Sequence, residues 1–349
     1  MHADTLKFYK YNPVKKPIYK GKFCQTPFEV LQIDEDGDVM LCGCQLHMPY
    51  VVGNIYQDSL ETIWNGEKAH SVRQAVLDED FTYCNWACNS LPNLPNRPTQ
   101  LPITPLFPKT IKIDLDRSCN LKCPSCREQI IIEKSSSRID KQVELYEQIK
   151  KYALENPNTN ITIMPLASGE IFASHSGLKF LKSLIDYPYN NIRLDITTNG
   201  TLINRNRDLI QNIQHLIQQF SVSIDAATPE TYMKVRGGDW NELLLGLEFI
   251  KEITPHFLTF RFCIQQNNFF EIEKFAKFAD HYGANINYQK LLDWGHWTIA
   301  WWHDNNVFDR TRDTFDVALD SLNRTKQLYG SKISMAAELV KYLKQKNLL

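Results

Sequence analysis

The sequence predicts an α/β protein in which a partial (β/α)6 barrel follows a small cysteine-rich domain. Three observations support this prediction. From Thr110 onward, six short apolar runs alternate with segments of helical periodicity. Five of the nine cysteines lie between residues 24 and 88. Residues 92–108 hold six prolines, which remove backbone donors and disfavour helix, so they separate the two parts as an extended linker.

These features divide the chain into five segments. We predict an N-terminal arm (1–20), a cysteine-rich domain (21–91), a proline-rich linker (92–109), a barrel (110–293), and C-terminal loop and helices that cover the barrel (294–349).

The barrel prediction depends on the order of strands and helices after Thr110. The predicted strands are TIKIDL, ITIMPL, IRLDIT, FSVSID, LTFRFCI and INYQKLL, at residues 110–115, 161–166, 192–197, 220–225, 258–264 and 286–292. Predicted helices cover residues 139–155, 176–186, 206–219, 240–253 and 268–283, and two more cover 316–330 and 336–347. Strand–helix alternation implies right-handed crossovers and a parallel sheet. Six units are too few for a closed eight-stranded barrel, which favours a partial one.

Charge and hydropathy exclude several classes of protein. The formal net charge is −1 and there is no Lys/Arg-rich run, which argues against a nucleic-acid-binding surface. The opening residues MHADTLKFYKYNPVKK lack the apolar region of a signal peptide, and no apolar run reaches membrane-spanning length. We therefore expect a cytoplasmic protein with neither nucleic acid nor membrane as partner. Thiols stay reduced there, so the clustered cysteines indicate metal ligation.

The segment CNLKCPSC places three cysteines directly after the first predicted strand. Cys119, Cys123 and Cys126 have C-x3-C-x2-C spacing. In barrels of this kind, chemistry gathers at the C-terminal ends of the strands. Zinc modules usually fill four positions with paired cysteines, whereas iron–sulfur clusters are held by thiolates. Three thiolates in one loop leave a fourth position open to bind another group.

The fourth predicted strand has one polar face. Ser221, Ser223 and Asp225 alternate with the apolar Val222 and Ile224. A catalytic barrel needs such polar groups on its inward face, while helices cover the apolar outward face. Ordinary polar residues near a strand end are the alternative interpretation.

The three-cysteine loop, at this place in a barrel, resembles the radical S-adenosylmethionine (radical SAM) superfamily. The resemblance implies a [4Fe-4S] cluster on Cys119, Cys123 and Cys126, whose open iron chelates the methionine amino and carboxylate groups of SAM. An electron from a reductant such as flavodoxin or ferredoxin then cleaves SAM. The resulting 5'-deoxyadenosyl radical abstracts a hydrogen atom from the substrate, while the protein positions and shields the cofactor.

Three further motifs follow in the order that the family has. LASGE is similar to its GGE element, TTNGTL to its TNG turn, and SVSIDAATPETYMKVRGG to its fifth segment. The resemblance implies that Glu170 and its neighbours receive the SAM amino group, that Arg236 pairs with the SAM carboxylate, and that Asp225 faces the cavity as a catalytic residue. The implied SAM-binding residues are Ser168, Gly169, Glu170, Thr198, Asn199, Ser223 and Arg236. Ser168 replaces the first glycine of the GGE element, and Ser125 replaces the aromatic residue often found before the last cysteine.

The N-terminal cysteines resemble the SPASM/twitch domain, an auxiliary iron–sulfur module of radical SAM enzymes. A DGD turn predicts a hairpin between Cys24 and Cys42, and CNWAC adds two more cysteines. The module usually follows the barrel, and here it precedes it, as in the N-terminal twitch branch. The resemblance implies one auxiliary [4Fe-4S] cluster on Cys24, Cys42, Cys84 and Cys88, with Cys44 as an alternative ligand. A four-cysteine zinc site is the other interpretation.

Cys263 and a tryptophan-rich segment are further candidates near the cavity. Cys263 shares a strand face with Arg261 and Gln265. If that face is inward, the thiol could return a hydrogen atom to a substrate radical; otherwise it is a small buried hydrophobe. Four of the seven tryptophans lie between residues 294 and 302 and are predicted to cover part of the cavity mouth, next to Asp293. Packing of the C-terminal segment explains these aromatic residues equally well.

The function that the resemblance implies is modification of a ribosomally made precursor peptide. The reaction would be epimerisation, crosslinking or oxidation, or backbone excision. A separate small peptide-recognition protein is then an expected partner. The alternative is a dehydrogenase or epimerase that acts on a sugar or another small metabolite. A binding protein without catalysis is the third interpretation, which the intact cysteine loop disfavours.

Overall fold

The computed structural model describes residues 19–44, 47–85, 88, 90–101, 103–166, 168–253, 258–292, 297–308 and 313–345. The chain forms two compact units. Unit 1 comprises Met1–Arg117, Glu133–Gly169 and Pro188–Leu194, and unit 2 comprises Ser118–Ile132, Glu170–Tyr187 and Asp195–Leu349. Nearly all of the predicted N-terminal arm (residues 1–18) lies outside the described residues, as do Asp293, Trp294 and His296. The five predicted segments are a division by sequence and remain a prediction.

The described elements follow the predicted alternation. The strands are β1 Val30–Ile33, β2 Asp38–Met40, β3 Gly53–Asn54, β4 Thr110–Ile113, β5 Ile161–Met164, β6 Ile192–Thr198, β7 Ile217–Ser223, β8 Leu258–Ile264, β9 Asn285–Lys290 and β10 Ile333–Met335. The helices are α1 Leu60–Trp64, α2 Glu67–Leu77, α3 Ser137–Glu155, α4 His175–Ser183, α5 Arg207–Ile213, α6 Pro229–Val235, α7 Trp240–Ile253, α8 Ile272–His281, α9 Ile299–Asn305, α10 Asp313–Tyr329 and α11 Ala337–Gln345. All six predicted barrel strands are present, as β4 to β9.

Unit 1 contains a mixed sheet in the order β3-β2-β1-β4-β5-β6, and the division between the units passes through β6. β1 and β2 form the predicted antiparallel hairpin, which turns at Gly37 with a φ of +80°. On its other side β1 pairs in parallel with β4. The cysteine-rich part and the first barrel strand therefore share one sheet, which the sequence did not predict. Leu31 and Ile111 are fully buried where these strands meet.

The proline-rich segment is bonded to the rest of unit 1. The Trp64 indole Nε1 donates to the Pro105 carbonyl at 2.8 Å, and the Phe107 ring stacks on Tyr152 with centroids 4.0 Å apart. The Arg73 guanidinium lies 4.1 Å above the Trp64 ring. These contacts hold the segment along unit 1, so it is more than a free spacer.

Unit 2 contains the parallel strands β7, β8, β9 and β10. Helix α8 covers one face of this sheet, where Phe275 packs against Phe260 and Phe262. The residues that alternate with these phenylalanines are only partly buried and point away from α8. We call this second surface the polar face; it is formed by Ser221, Ser223, Arg261, Cys263, Asn287 and Gln289. The predicted alternation of β8 is thereby confirmed.

Several elements of unit 2 differ from the prediction, and helices α6 and α9 were not predicted at all. The helix predicted for residues 206–219 ends at Ile213, a short 3-10 turn follows, and β7 begins at Ile217. The run HLIQQF fits both the helical and the strand periodicity, and the pairing of β7 with β8 decides in favour of a strand. Strand β10 was not predicted because its three residues carry too little pattern; it forms by pairing with β9. Among the described residues, no helix combines the length and the apolar composition that crossing a membrane requires.

Candidate active site

The three-cysteine loop belongs to unit 2 and is closed at its base. The Cys119 amide donates to the Ile131 carbonyl at 2.6 Å, and the Ile131 amide donates back at 3.3 Å. A tight turn follows, in which the Cys126 amide donates to the Cys123 carbonyl at 2.8 Å. Cys119 and Cys123 are buried, while Cys126 is exposed. The loop thus holds its three thiols within one short, hydrogen-bonded segment.

A network of amides and hydroxyls fastens this loop to the turn after β6. The Asn199 Nδ2 donates to Asn120 Oδ1 at 2.9 Å and lies 3.9 Å from the Cys119 sulfur. Asn120 in turn donates to the Thr201 hydroxyl at 2.9 Å, which donates to Asn199 Oδ1 at 2.7 Å. Asn199 therefore positions the cysteine loop. The sequence did not single out Asn120 and Thr201, because one amide and one hydroxyl carry no recognisable spacing.

Glu170 is fully buried and its carboxylate is engaged by protein donors. It accepts hydrogen bonds from the Asn199 amide at 2.5 Å, the Thr198 hydroxyl at 2.8 Å and the Phe172 amide at 3.2 Å. Burial raises the pKa of this carboxyl, and the three donors oppose the rise. Glu170 thus joins the segment after β5 to the turn after β6, and a direct contact of its carboxylate with SAM remains a prediction.

The other residues predicted for SAM binding are placed as follows. The Thr198 hydroxyl also accepts from the Gly200 amide at 3.1 Å, so it too supports the turn. Gly200 has a φ of +86°, and a Cβ there would lie 2.5 Å from the Leu243 side chain. Ser168 is exposed and Gly169 is half-buried, and both belong to unit 1. Ser223 is half-buried on the polar face.

Asp225 and Arg236 form a mostly buried ion pair. The Arg236 Nη1 lies 3.0 Å from Asp225 Oδ2, and the other carboxylate oxygen accepts from the Cys263 amide at 2.6 Å. Asp225 has a φ of +60°, a strained conformation that Asn268 supports by donating to the Asp225 carbonyl at 2.9 Å. In the structure the Asp225 carboxylate is paired within the protein, and its predicted orientation toward the cavity remains a prediction. We describe it as a positioning residue, and a direct catalytic role for it remains a prediction.

The Arg236 guanidinium keeps one donor available. Its Nε is buried and has no acceptor among the described residues. Burial lowers the pKa of Arg236, but the nearby Cys123 thiolate and Asp225 outweigh this effect and raise it well above the usual value. A buried N–H without an acceptor among the described residues, next to a predicted cluster ligand, fits the carboxylate of an amino acid, which is the group that the resemblance assigns to Arg236.

Replacing Arg236 by glutamine is expected to weaken SAM binding about 10- to 100-fold, because a charge-assisted hydrogen bond is lost and Asp225 is left without its partner. Equilibrium dialysis of the reconstituted protein measures this affinity, with iron content as a check on cluster assembly. Lys234, which is exposed in the last turn of α6 two residues before Arg236, supplies the control variant Lys234→Gln. Equal affinities in both variants would contradict the assignment of Arg236.

The chemistry of the three thiols suits a metal cluster. Burial raises the pKa of Cys123 to about 11; Arg236 opposes this rise, and the neighbouring thiolates of Cys126 and Cys119 add to it. Burial likewise raises the pKa of Cys119. Close, buried thiols resist ionisation until a cation binds, and cluster iron supplies such a charge. These residues therefore fit the predicted SAM-binding cluster.

The N-terminal cysteines form a second group, within unit 1. Cys84 and Cys88 are buried, and the other three are half-buried. Burial raises the pKa of Cys42 to about 12, with further contributions from the thiolates of Cys44, Cys88 and Cys24. The pKa of Cys84 is also raised, first by burial and then by the neighbouring thiolates of Cys24, Cys42 and Cys88. The four cysteines of the predicted set are thus close enough to influence one another. The choice between this set and one that includes Cys44 remains a prediction.

No group of three or more His, Cys, Asp or Glu side chains, within the part of the chain that the structure describes, is placed around a single metal-ion position. The grouping of both cysteine sets therefore rests on their electrostatic proximity and their burial. Four thiols, two buried and two half-buried, fit an iron–sulfur cluster as donors, and they also fit zinc.

Cys263 and the tryptophan segment both lie near the cysteine loop. Burial raises the pKa of Cys263, Asp225 raises it further, and Arg236 and Lys290 oppose the rise. The thiol therefore lies within electrostatic range of the Asp225–Arg236 pair. The Trp297 indole donates to the Pro124 carbonyl of the cysteine loop at 3.1 Å and stacks on Trp301 at 4.8 Å. Trp297 thus contacts the loop that holds the predicted cluster ligands, and a covering role for the tryptophan segment remains a prediction.

Comparison with known families matches two parts of the chain. Residues 24–89 match the model of the SPASM iron–sulfur cluster-binding domain, and residues 115–279 match that of the radical SAM superfamily. The first match contains the five N-terminal cysteines. The second contains the three-cysteine loop, Glu170, Asn199 and the Asp225–Arg236 pair.

Several curated proteins and solved structures are similar to the chain. A GTP 3',8-cyclase of Alkaliphilus metalliredigens is 27% identical over 140 residues, which cover 40% of this chain and 42% of that protein. An AdoMet-dependent heme synthase of Methanosarcina barkeri is 26% identical over 180 residues, or 51% of this chain and 48% of that protein. The chain thus spans about half the length of the curated relatives it matches.

Among solved structures, Streptococcus suis SuiB bound to S-adenosylmethionine aligns with a TM-score of 0.44 and 15% identity, over 69% of this chain and 48% of that one. TYW1 with a lysine–pyruvate adduct aligns with a TM-score of 0.39 and 16% identity, over 60% of this chain and 69% of that one. The family matches decide the assignment. The chain carries a SPASM iron–sulfur cluster-binding domain at residues 24–89, ahead of a radical SAM superfamily domain at residues 115–279.

Proposed function

We propose that this enzyme epimerises a residue of a ribosomally made precursor peptide. The observation that supports this reaction is the position of Cys263, whose thiol lies on the polar face of unit 2 within electrostatic range of Asp225 and Arg236. Epimerisation needs a hydrogen-atom donor as well as a radical generator. A cluster on Cys119, Cys123 and Cys126 with SAM bound supplies a 5'-deoxyadenosyl radical.

Cys263 would complete the reaction by donating a hydrogen atom. After a hydrogen atom is removed from the substrate α-carbon, the S–H bond of Cys263 breaks and the hydrogen passes to the opposite side of that carbon. The sulfur radical then takes up one electron and one proton to restore the thiol. A flavodoxin- or ferredoxin-type reductant would supply the electron, either directly or through an auxiliary cluster on Cys24, Cys42, Cys84 and Cys88, with Cys44 as the alternative ligand.

A peptide substrate suits the polar face. Its hydroxyl and amide side chains, such as Ser223 and Gln289, can pair with peptide N–H and C=O groups. SPASM-containing radical SAM enzymes, which this chain resembles, often act on precursor peptides. The enzyme would then work in the cytoplasm, where its thiols stay reduced, together with a separate small protein that recognises the peptide.

A small metabolite is the second candidate substrate. The similar curated proteins are named as a GTP cyclase and a heme synthase, and neither name refers to a peptide. A radical SAM dehydrogenase or epimerase that acts on a sugar or another metabolite is consistent with those relatives.

Intact mass spectrometry distinguishes these reactions. The chain is co-expressed in heavy water with each small open reading frame beside its gene and with any small neighbouring recognition protein. Epimerisation adds one deuterium per modified site, oxidation or crosslinking removes two hydrogens, and backbone excision removes more mass. Unchanged peptides, combined with cleavage of SAM by the purified enzyme, would favour the small-metabolite candidate.

Replacing Cys263 by alanine is expected to abolish incorporation of solvent deuterium into the peptide, because no thiol remains to return the hydrogen atom. Chiral amino-acid analysis of the hydrolysed peptide measures the D-residue directly. Ser221→Ala on the adjacent strand is the matched control for removal of one polar atom from the same face. A D-residue formed at the wild-type level by Cys263→Ala would contradict the donor role.

A further inference from the structure

We propose that Arg261 binds a carboxylate of the substrate, so that an acidic side chain of the peptide is held beside the residue that is modified. The identity of the substrate in this inference rests on the proposed function. The anion site itself can be tested without a peptide.

Arg261 projects from the polar face close to Cys263. It lies on β8, two residues before Cys263, and the alternation of that strand places both on the side away from α8. In the sheet, Arg261 is in register with Ser223 of β7 and with Asn287 of β9. The strand rise puts Arg261 and Cys263 roughly 7 Å apart along the sheet. A ligand on Arg261 therefore lies next to the predicted hydrogen donor.

Among the described residues, Arg261 forms no close ion pair, unlike two other arginines of unit 2. Arg236 pairs with Asp225 at 3.0 Å, and the exposed Arg324 pairs with Glu273 at 2.8 Å. Among the described residues, no carboxylate lies within 4.0 Å of the Arg261 guanidinium. Burial lowers the pKa of Arg261, and the charge of Asp195 opposes this effect only in part, so the half-buried cation is incompletely compensated. A bound anion would offset this cost.

The surroundings favour a carboxylate over a phosphate. A single guanidinium binds a carboxylate through two parallel hydrogen bonds, and the Ser223 hydroxyl across the sheet can add a third. Asp195 of β6 lies close enough to influence Arg261, and its charge would repel a dianionic phosphate more than a carboxylate. The distance to Cys263 corresponds to about two residues of extended peptide, which places the acidic residue within two positions of the modified one.

Saturation-transfer NMR with the reconstituted full-length enzyme tests the anion site. The probes are N-acetyl-aspartate amide, its neutral analogue N-acetyl-asparagine amide, and methyl phosphate. We expect the aspartate probe to bind, Arg261→Gln to weaken it by more than about tenfold, and Arg261→Lys to weaken it less. Arg324→Gln is the control and should leave probe binding unchanged. Iron content and melting temperature report whether each variant folds.

Three outcomes of this titration would overturn the proposal. The acidic and neutral probes bind equally, or Arg261→Gln binds the acidic probe as wild type does. Tighter Arg261-dependent binding of methyl phosphate would replace the carboxylate by a phosphate and also overturn it.

The peptide identified by mass spectrometry provides the second test. Each Asp or Glu within two residues of the modified site is changed to Asn or Gln. With the wild-type enzyme, we expect this change in the peptide to lower kcat/KM about tenfold. With Arg261→Gln, the same change in the peptide should cause no additional loss, since the peptide change and the enzyme change remove the same contact. A modified peptide without an acidic residue within two positions of the modified site would overturn the proposal. So would losses of kcat/KM from the peptide change and from Arg261→Gln that multiply when the two are combined. If no peptide is modified, the proposed function fails, and the NMR titration still decides the anion site.

Discussion

Replacing Cys123 by alanine is expected to reduce SAM cleavage by more than about 1,000-fold, because the radical chemistry belongs to the cofactor that this thiol would hold. Cys123 is buried at the centre of the three-cysteine loop and lies in the field of Arg236. Its loss leaves two thiols in the loop, one of them exposed. Formation of 5'-deoxyadenosine measures the activity, and the iron content of the anaerobically reconstituted protein measures cluster assembly.

Ser125→Ala is the matched control for this variant. It removes one side-chain atom from the same turn, two residues away and between two predicted ligands. It should retain both SAM cleavage and iron. SAM cleavage by Cys123→Ala at the level of Ser125→Ala would contradict the ligand assignment of the loop.

Replacing Glu170 by glutamine is expected to lower the free energy of unfolding by about 3 kcal/mol and to weaken SAM binding at the same time. Both carboxylate oxygens accept hydrogen bonds, from the Thr198 hydroxyl and two backbone amides. A glutamine amide presents a donor where one oxygen stood, so at least one buried backbone N–H meets another donor. The turn that carries Asn199 then shifts, and the cysteine loop that Asn199 fastens shifts with it.

Urea unfolding under anaerobic conditions measures the loss of stability, and equilibrium dialysis measures SAM affinity. Glu230→Gln, at an exposed position on α6, makes the same chemical change outside the network and should leave both quantities unchanged. If Glu170→Gln is as stable as Glu230→Gln, the buried carboxylate does not hold the two segments together.

Much of the fold could be predicted because each strand carries its own local pattern. The barrel strands read as short apolar runs, and the alternation of Phe260 and Phe262 with Arg261 and Cys263 already identified the two faces of β8. The start of β7 was misjudged because its first residues also fit a helical period. The pairing of β1 with β4 could not be predicted, since residues far apart in sequence decide it.

The candidate site was predictable where spacing carries the chemistry. Three cysteines in eight residues indicate a cluster loop by themselves. Strand parity predicted the face of Asp225, but neither its φ of +60° nor its pairing with Arg236 follows from parity. Asn120 and Asn268 were missed because each supports a neighbour through a single amide, which leaves no pattern in the sequence.

The measurement that tests the central claim most directly is reductive cleavage of SAM by the wild-type enzyme. The protein is reconstituted anaerobically with iron and sulfide, reduced with dithionite and incubated with SAM, and the products are measured by liquid chromatography and mass spectrometry. We predict 5'-deoxyadenosine and methionine in equal amounts, formed only in the presence of reductant. If SAM stays intact in a preparation that contains the full complement of iron, the assignment of a radical SAM site is contradicted. That site consists of the three-cysteine loop and the residues that support it, Asn199, Glu170 and Arg236.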